Sequence, residues 1–247
     1  MDLPAAPFIL QVSVEPGGTP DYAGEIPAIL ALEERPLTLH PRVTFLVGEN
    51  GSGKSTLVEA IAGACDLNVE GGSRATRFTN RASHSALNET LVLERGPTKP
   101  MNGFFLRAES FFNFATVSEA TSGRLAMENI YERPLHEQSH GESFLALAFE
   151  RFGPRGFYVL DEPEAALSLQ GQLALMRRIH DLVRAHCQFV VATHSPILLG
   201  YPDSAIYELG PDGVTERAYE ETEQYQLTRS FLENRDGFLR HLLADDD

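Results

Sequence analysis

A largely parallel α/β sheet with helices on its faces is the fold this 247-residue sequence predicts, on three observations. Short runs rich in β-branched and aromatic residues recur at 43–47, 157–160 and 188–192, each mostly apolar rather than alternating. That pattern marks strands covered on both faces. Segments of helical composition at 54–64, 142–152 and 170–185 fall between or beside them. Finally, Gly48, Gly51 and Gly53 crowd the junction between the first such run and the first such helix. Strands alternating with helices read as βαβ units.

The other elements follow in order. Residues 8–14 alternate as a strand and stop at Pro16, Gly17 and Gly18. Pro20, Pro27, Pro36 and Pro41 suggest surface connections and short pieces. The polar, glycine-containing stretch 66–90 reads as loop, and 91–93 and 103–106 as two further strands. An interrupted helical pattern over 110–134 suggests a small lobe, inserted at about 108–150 in a single domain covering 1–247. Near the end, Phe231, Leu232, Phe238, Leu239, Leu242 and Leu243 line one side of an amphipathic helix, expected to pack on its own domain.

Composition narrows the function classes. Hydrophobic residues make up 43% of the chain, with no low-complexity tract, as in a globular protein. No apolar run is long enough to cross a bilayer, and the first residues lack a secretory pattern. Cys65 and Cys187 are too few and too separated for a disulfide framework, and they fit a reducing cytoplasm. A formal net charge of −15 disfavours direct nucleic-acid binding, leaving Arg74, Arg77 and Arg81 as the one candidate basic loop.

The chemistry begins at Gly48, Glu49, Asn50, Gly51, Ser52, Gly53, Lys54, Ser55 and Thr56. Glycines there let successive N–H groups turn toward phosphate oxygens, and the following helix adds its positive N-terminal end. Lys54 can meet the β- and γ-phosphates and the Ser55 hydroxyl can meet Mg²⁺. The strand before and the helix after satisfy the structural condition that separates this motif from a glycine-rich turn. At the end of the 157–160 run, Asp161 can hold Mg²⁺ and Glu162 can orient or deprotonate water. His194 follows the 188–192 run, where ligands of open α/β sheets gather. His136, Glu137 and His140 match a zinc-peptidase pattern, but Pro134 and Gly141 bracket a turn rather than a helix interior. Ser139, Gly141 and Glu142 serve better as an anion-facing helix start, able to close a second chain's phosphate site.

In order, these motifs resemble the ATP-binding-cassette class of ATPases, and more closely a family of small bacterial ABC-like, AAA-family ATPases related to the SMC and RecF types. Residues 48–56 resemble its Walker A, 157–163 its Walker B with catalytic glutamate, His194 its switch histidine, and 139–142 its signature. Residues 164–168 fall where its D-loop belongs, with Ser168 in place of the usual aspartate. No Q-loop glutamine follows 103–106; Arg107 or Glu109 occupies the region. The resemblance implies Mg²⁺-dependent ATP binding and hydrolysis, with two protomers sandwiching ATP. Lys54, Glu162 and His194 would be catalytic, and Ser55 and Asp161 would hold the metal. A DNA-maintenance or defence ATPase acting with a partner, and the ATP-binding subunit of a transporter, are the alternatives it leaves.

Overall fold

The computed structural model describes residues 7–68, 87–108 and 140–244. Its centre is a six-stranded sheet in the order β5-β6-β7-β3-β8-β9. The strands are β3 (Val43–Val47), β5 (Asn102–Arg107), β6 (Gly156–Asp161), β7 (Gln188–Ala192), β8 (Ala205–Gly210) and β9 (Gly213–Arg217). All pairings are parallel except β8 with β9, a hairpin closing one edge. A second, antiparallel sheet has the order β2-β1-β4, from β1 (Ile9–Val14), β2 (Leu37–Thr38) and β4 (Leu91–Arg95).

Alternation along the parallel strands divides the core into two. Phe45, Tyr158, Leu160, Phe189 and Val191 point to one face, under α4 (His140–Arg151), α5 (Leu169–Arg184) and the short α6 (Pro196–Leu199). Leu46, Phe157, Val159 and Val190 point to the other, under α1 (Pro27–Glu34), α2 (Lys54–Ala64), the short α3 (Leu87–Thr90) and the antiparallel sheet. Both faces being covered is why β3, β6 and β7 are buried at every residue. Cys65 and Cys187 are both buried free thiols.

Gln188 ties the two sheets together. Its Oε1 accepts from the backbone N–H of Phe8 and Ile9 at 2.9 and 3.0 Å. Its Nε2 donates to the carbonyls of Ile9 and His40 at 2.8 and 3.1 Å. Removing these partners strands buried backbone groups, so Gln188→Leu is expected to lower the unfolding free energy by about 3 kcal/mol. Urea denaturation of the two proteins measures the difference.

Three expectations need correction. The proline-rich stretch is not merely connection: Pro27 opens α1, where proline's fixed φ suits the first helical position, and Ala28, Ile29 and Leu32 are buried. The hairpin of β8 and β9 was not among the expected strands. The C-terminal segment is two helices, α7 (Glu223–Glu233) and α8 (Arg235–Leu242), broken at Asn234, whose side chain caps the second. Neither helix buries a residue; Leu227, Leu232 and Leu242 are 54%, 73% and 64% exposed. Phe231 and Phe238 instead pack edge-on at 5.5 Å, joining the helices to each other rather than to the sheet. Of the expected lobe, 109–139 lie outside the described residues, and the part described, α4, packs on α5.

Candidate nucleotide site

Parallel strands place their carboxyl ends on one edge, and β3, β5, β6 and β7 bring Gly48, Arg107, Asp161 and Thr193 there together. Gly48, Gly51 and Gly53 have φ of 145°, 85° and 97°. At Gly48 a side chain is also excluded sterically, since a Cβ would lie 2.3 Å from the Leu209 carbonyl oxygen and 2.7 Å from Ser52 Oγ. The Lys54 amine, 4% exposed as a residue, is held inside the loop by the carbonyls of Gly48 at 2.8 Å and Glu49 at 2.9 Å. Burial lowers its pKa, opposed by the carboxylates of Glu162, Asp161 and Glu164.

The loop's donor set fits a triphosphate. Helix α2 starts at Lys54 with no side-chain cap on its N-terminus, so its first N–H groups face the loop without an acceptor side chain there. Ser52 Oγ is buried with no hydrogen-bond partner. The donor set fits Mg²⁺ as well: the Ser55 hydroxyl donates to Asp161 Oδ1 at 3.2 Å, pairing the two oxygen groups expected at the metal.

Asp161 is 3% exposed, and Arg107, paired with it in strand register, donates from Nε to Oδ2 at 2.8 Å. The same guanidinium donates from Nη2 to Glu59 Oε2, 3.0 Å away on α2. Burial works against the Arg107 charge, but Asp161 and Glu59 more than offset it and the pKa rises.

Glu162 sits in the left-handed region, φ 48° and ψ 51°, its N–H donating to the Ala192 carbonyl at 2.9 Å. Such a conformation costs a non-glycine residue of order 1 kcal/mol and clusters at functional sites. It turns the chain between β6 and the Pro163–Ala166 turn, and leaves Glu162 Oε1 3.7 Å from His194 Nε2. His194 is held from behind, its backbone N–H donating to Glu164 Oε1 at 2.5 Å. His194 Nε2 and Glu164 Oε2 are buried and have no hydrogen-bond partner.

The structure brings residues 48–56, Asp161, Glu162 and His194 to the same end of the parallel sheet. Gly141 and Glu142 lie in the first turn of α4, where a Cβ on Gly141 would come 3.0 Å from the Ala166 carbonyl oxygen. Ser139, His136 and Glu137, Glu109, and Arg74, Arg77 and Arg81 lie outside the described residues. Ser168, the substituted D-loop position, caps α5 by accepting from Gly171 N–H at 3.2 Å. Three contributions are not read from the sequence: Glu59, the bond of Glu164 to the His194 N–H, and the pairing of Arg107. Arg107 stands level with Glu109 in the sequence, because only strand register shows what it faces.

These features define a P-loop nucleotide-binding fold. A family model described as an AAA domain matches residues 26–110, and another, described as "AAA domain, putative AbiEii toxin, Type IV TA system", matches 78–200. The cytochrome c biogenesis ATP-binding export protein CcmA of Rhodopseudomonas palustris is 30% identical over 62% of this chain and 78% of its own length. The zinc import ATP-binding protein ZnuC of Vibrio cholerae is 31% identical over 62% of this chain, which spans only 56% of that relative. Among solved structures, a nucleotide-free ATP-binding cassette from an ABC transporter aligns over 94% of this chain and 98% of its own, with a TM-score of 0.51 at 18% identity. An SMC head bound to the C-terminal winged-helix domain of ScpA aligns over 87% and 99%, with a TM-score of 0.51 at 16% identity. The chain belongs to the ABC-like family of P-loop ATPases.

Proposed function

We propose that this chain is a cytoplasmic, Mg²⁺-dependent ATPase that works as an ATP-sandwiched homodimer. The observation that carries the reading is the convergence of Lys54, the Ser55–Asp161 contact and the Glu162–His194 pair on one sheet edge. Residues 48–56 bind the triphosphate through backbone N–H groups, with Lys54 moving its amine from loop carbonyls to phosphate oxygens. Ser55 and Asp161 would hold Mg²⁺, which supplies charge neutralisation on the phosphate oxygens. Glu162 orients a water and takes its proton as the water oxygen bonds to the γ-phosphorus and the bond to the β–γ bridging oxygen breaks. His194, fixed by Glu164, faces the same water and the γ-phosphate.

Ser139, together with Gly141 and Glu142 of the first turn of α4, closes the site of a second copy rather than its own. The likeness of residues 139–142 to the signature motif of ATP-binding cassettes supports this. Sedimentation of the Glu162→Gln protein is expected to show a dimer with Mg-ATP and a monomer without nucleotide. A strictly monomeric result with Mg-ATP would remove the sandwich from the reading.

Similarity to import ATP-binding proteins favours one second reading, an energising subunit docked on a membrane partner. Among the described residues no helix is long and apolar enough to cross a membrane, so such a partner would supply the span. Co-purification with an integral membrane protein distinguishes it from a free-standing ATPase. The resemblance to defence- and DNA-associated ATPases is tested by whether DNA stimulates turnover in a salt-dependent way.

A further inference from the structure

We infer that Arg107 is a resident counter-ion of the metal site, a positioning residue that aims Asp161 at Ser55 and weakens the site's hold on divalent cation. The inference rests on the nucleotide-site reading above and adds to it a residue and a regulation of metal affinity.

The Asp161 carboxylate is divided between two partners. Oδ1 faces the Ser55 hydroxyl at 3.2 Å, the side on which a metal would sit, and Oδ2 is taken by Arg107 Nε at 2.8 Å. With Oδ2 occupied, only Oδ1 is free to turn toward an ion. Arg107 is not a surface charge that swings away. Its side chain is 20% exposed, and its guanidinium lies 5.6 Å from the Phe105 ring centroid, bonded to Glu59 at 3.0 Å. Glu59 lies on α2, the helix the phosphate loop opens, so the guanidinium joins the metal-side carboxylate to the phosphate-side helix.

Charge then decides what the arrangement does. Asp161, Glu162 and Glu164 gather at a site meant for a polyanion, with Lys54 as the cation inside the loop. A fixed guanidinium on Asp161 makes the site less repulsive to nucleotide without metal. The same positive charge opposes a second cation on the same carboxylate. Metal-free nucleotide binding is favoured and divalent binding is weakened. A purely structural pair predicts the reverse for metal, because a loosened Asp161 would be a poorer ligand.

The test titrates Mn²⁺ by electron paramagnetic resonance, on protein saturated with a non-hydrolysable ATP analogue. An adjacent guanidinium lowers a carboxylate's affinity for a proton by roughly 10- to 1000-fold, so Arg107→Gln is expected to bind Mn²⁺ about tenfold more tightly than the parent. The same variant should bind the analogue more weakly in EDTA. Arg107→Lys, which keeps the charge, should stay near the parent. Glu59→Gln, which leaves the guanidinium less neutralised, should weaken Mn²⁺ binding. Unchanged or weaker Mn²⁺ binding in a folded Arg107→Gln protein overturns the inference. If that variant does not fold, unchanged or tighter binding in Glu59→Gln overturns it instead. Failure of the parent itself to bind the analogue would count against the nucleotide-site reading, a separate result seen before any variant is compared.

Discussion

Lys54→Ala is expected to weaken ATP binding about a hundredfold, the loss of one or two charge-assisted hydrogen bonds to phosphate. The lysine is poised for that use. It is the cation inside the loop, buried, and its two partners at 2.8 and 2.9 Å are carbonyls of the loop itself. Those carbonyls preorganise the amine, so little side-chain entropy remains to be lost when phosphate arrives. The burial that lowers its pKa is offset by the negative charge of a triphosphate, so bound nucleotide and the charged amine stabilise each other. Without nucleotide, alanine removes a buried charge as well as its bonds, and thermal stability should change far less than affinity. Titration with a fluorescent ATP analogue measures the effect. Undiminished affinity would show that the phosphates lie elsewhere.

Glu162→Gln is expected to cut turnover by about 10²- to 10⁴-fold while leaving ATP affinity close to that of the parent. Glutamine matches the carboxylate in size and cannot accept the proton. The backbone that aims the side chain is set by the left-handed turn and the bond to Ala192, neither of which needs the carboxylate. His194 at 3.7 Å loses a charged neighbour but keeps its tie to Glu164. Single-turnover hydrolysis beside equilibrium binding separates the two quantities. A loss of binding equal to the loss of rate would place Glu162 in the nucleotide cradle instead.

The phosphate loop was legible because its demands are local. Gly48, Gly51 and Gly53 take φ values that side chains resist, and Lys54 begins a helix three positions after Gly51. Asp161, Glu162 and His194 were legible because they end apolar strands whose faces are both covered. Arg107 was not, since its bond to Asp161 joins positions 54 residues apart through a pairing that no periodicity announces. Glu164 was hidden likewise: its partner is the backbone of His194, and backbone groups leave no mark in a sequence. The β8–β9 hairpin did carry a signal, Pro211, Asp212 and Gly213, with Gly213 at φ 98°. The C-terminal helices show the opposite failure. Their apolar stripe could be read, but a stripe says only that one side is greasy, and here Phe231 and Phe238 cover each other while Leu232, Leu242 and Leu243 stay exposed.

The position of β3 has a consequence for biosynthesis. The strand that carries the phosphate loop lies between β7 and β8, which begin at Gln188 and Ala205. A ribosome therefore makes Val43–Val47 long before either neighbour exists. Until then a five-residue strand with four apolar side chains and unpaired backbone edges waits in the nascent chain, the kind of segment that chaperones shield and that otherwise aggregates. Translation halted before residue 188 yields a chain with its phosphate loop complete in sequence and no sheet to support it. Nucleotide binding is thus acquired only after β7 and β8 are made, well behind the motif that makes it recognisable.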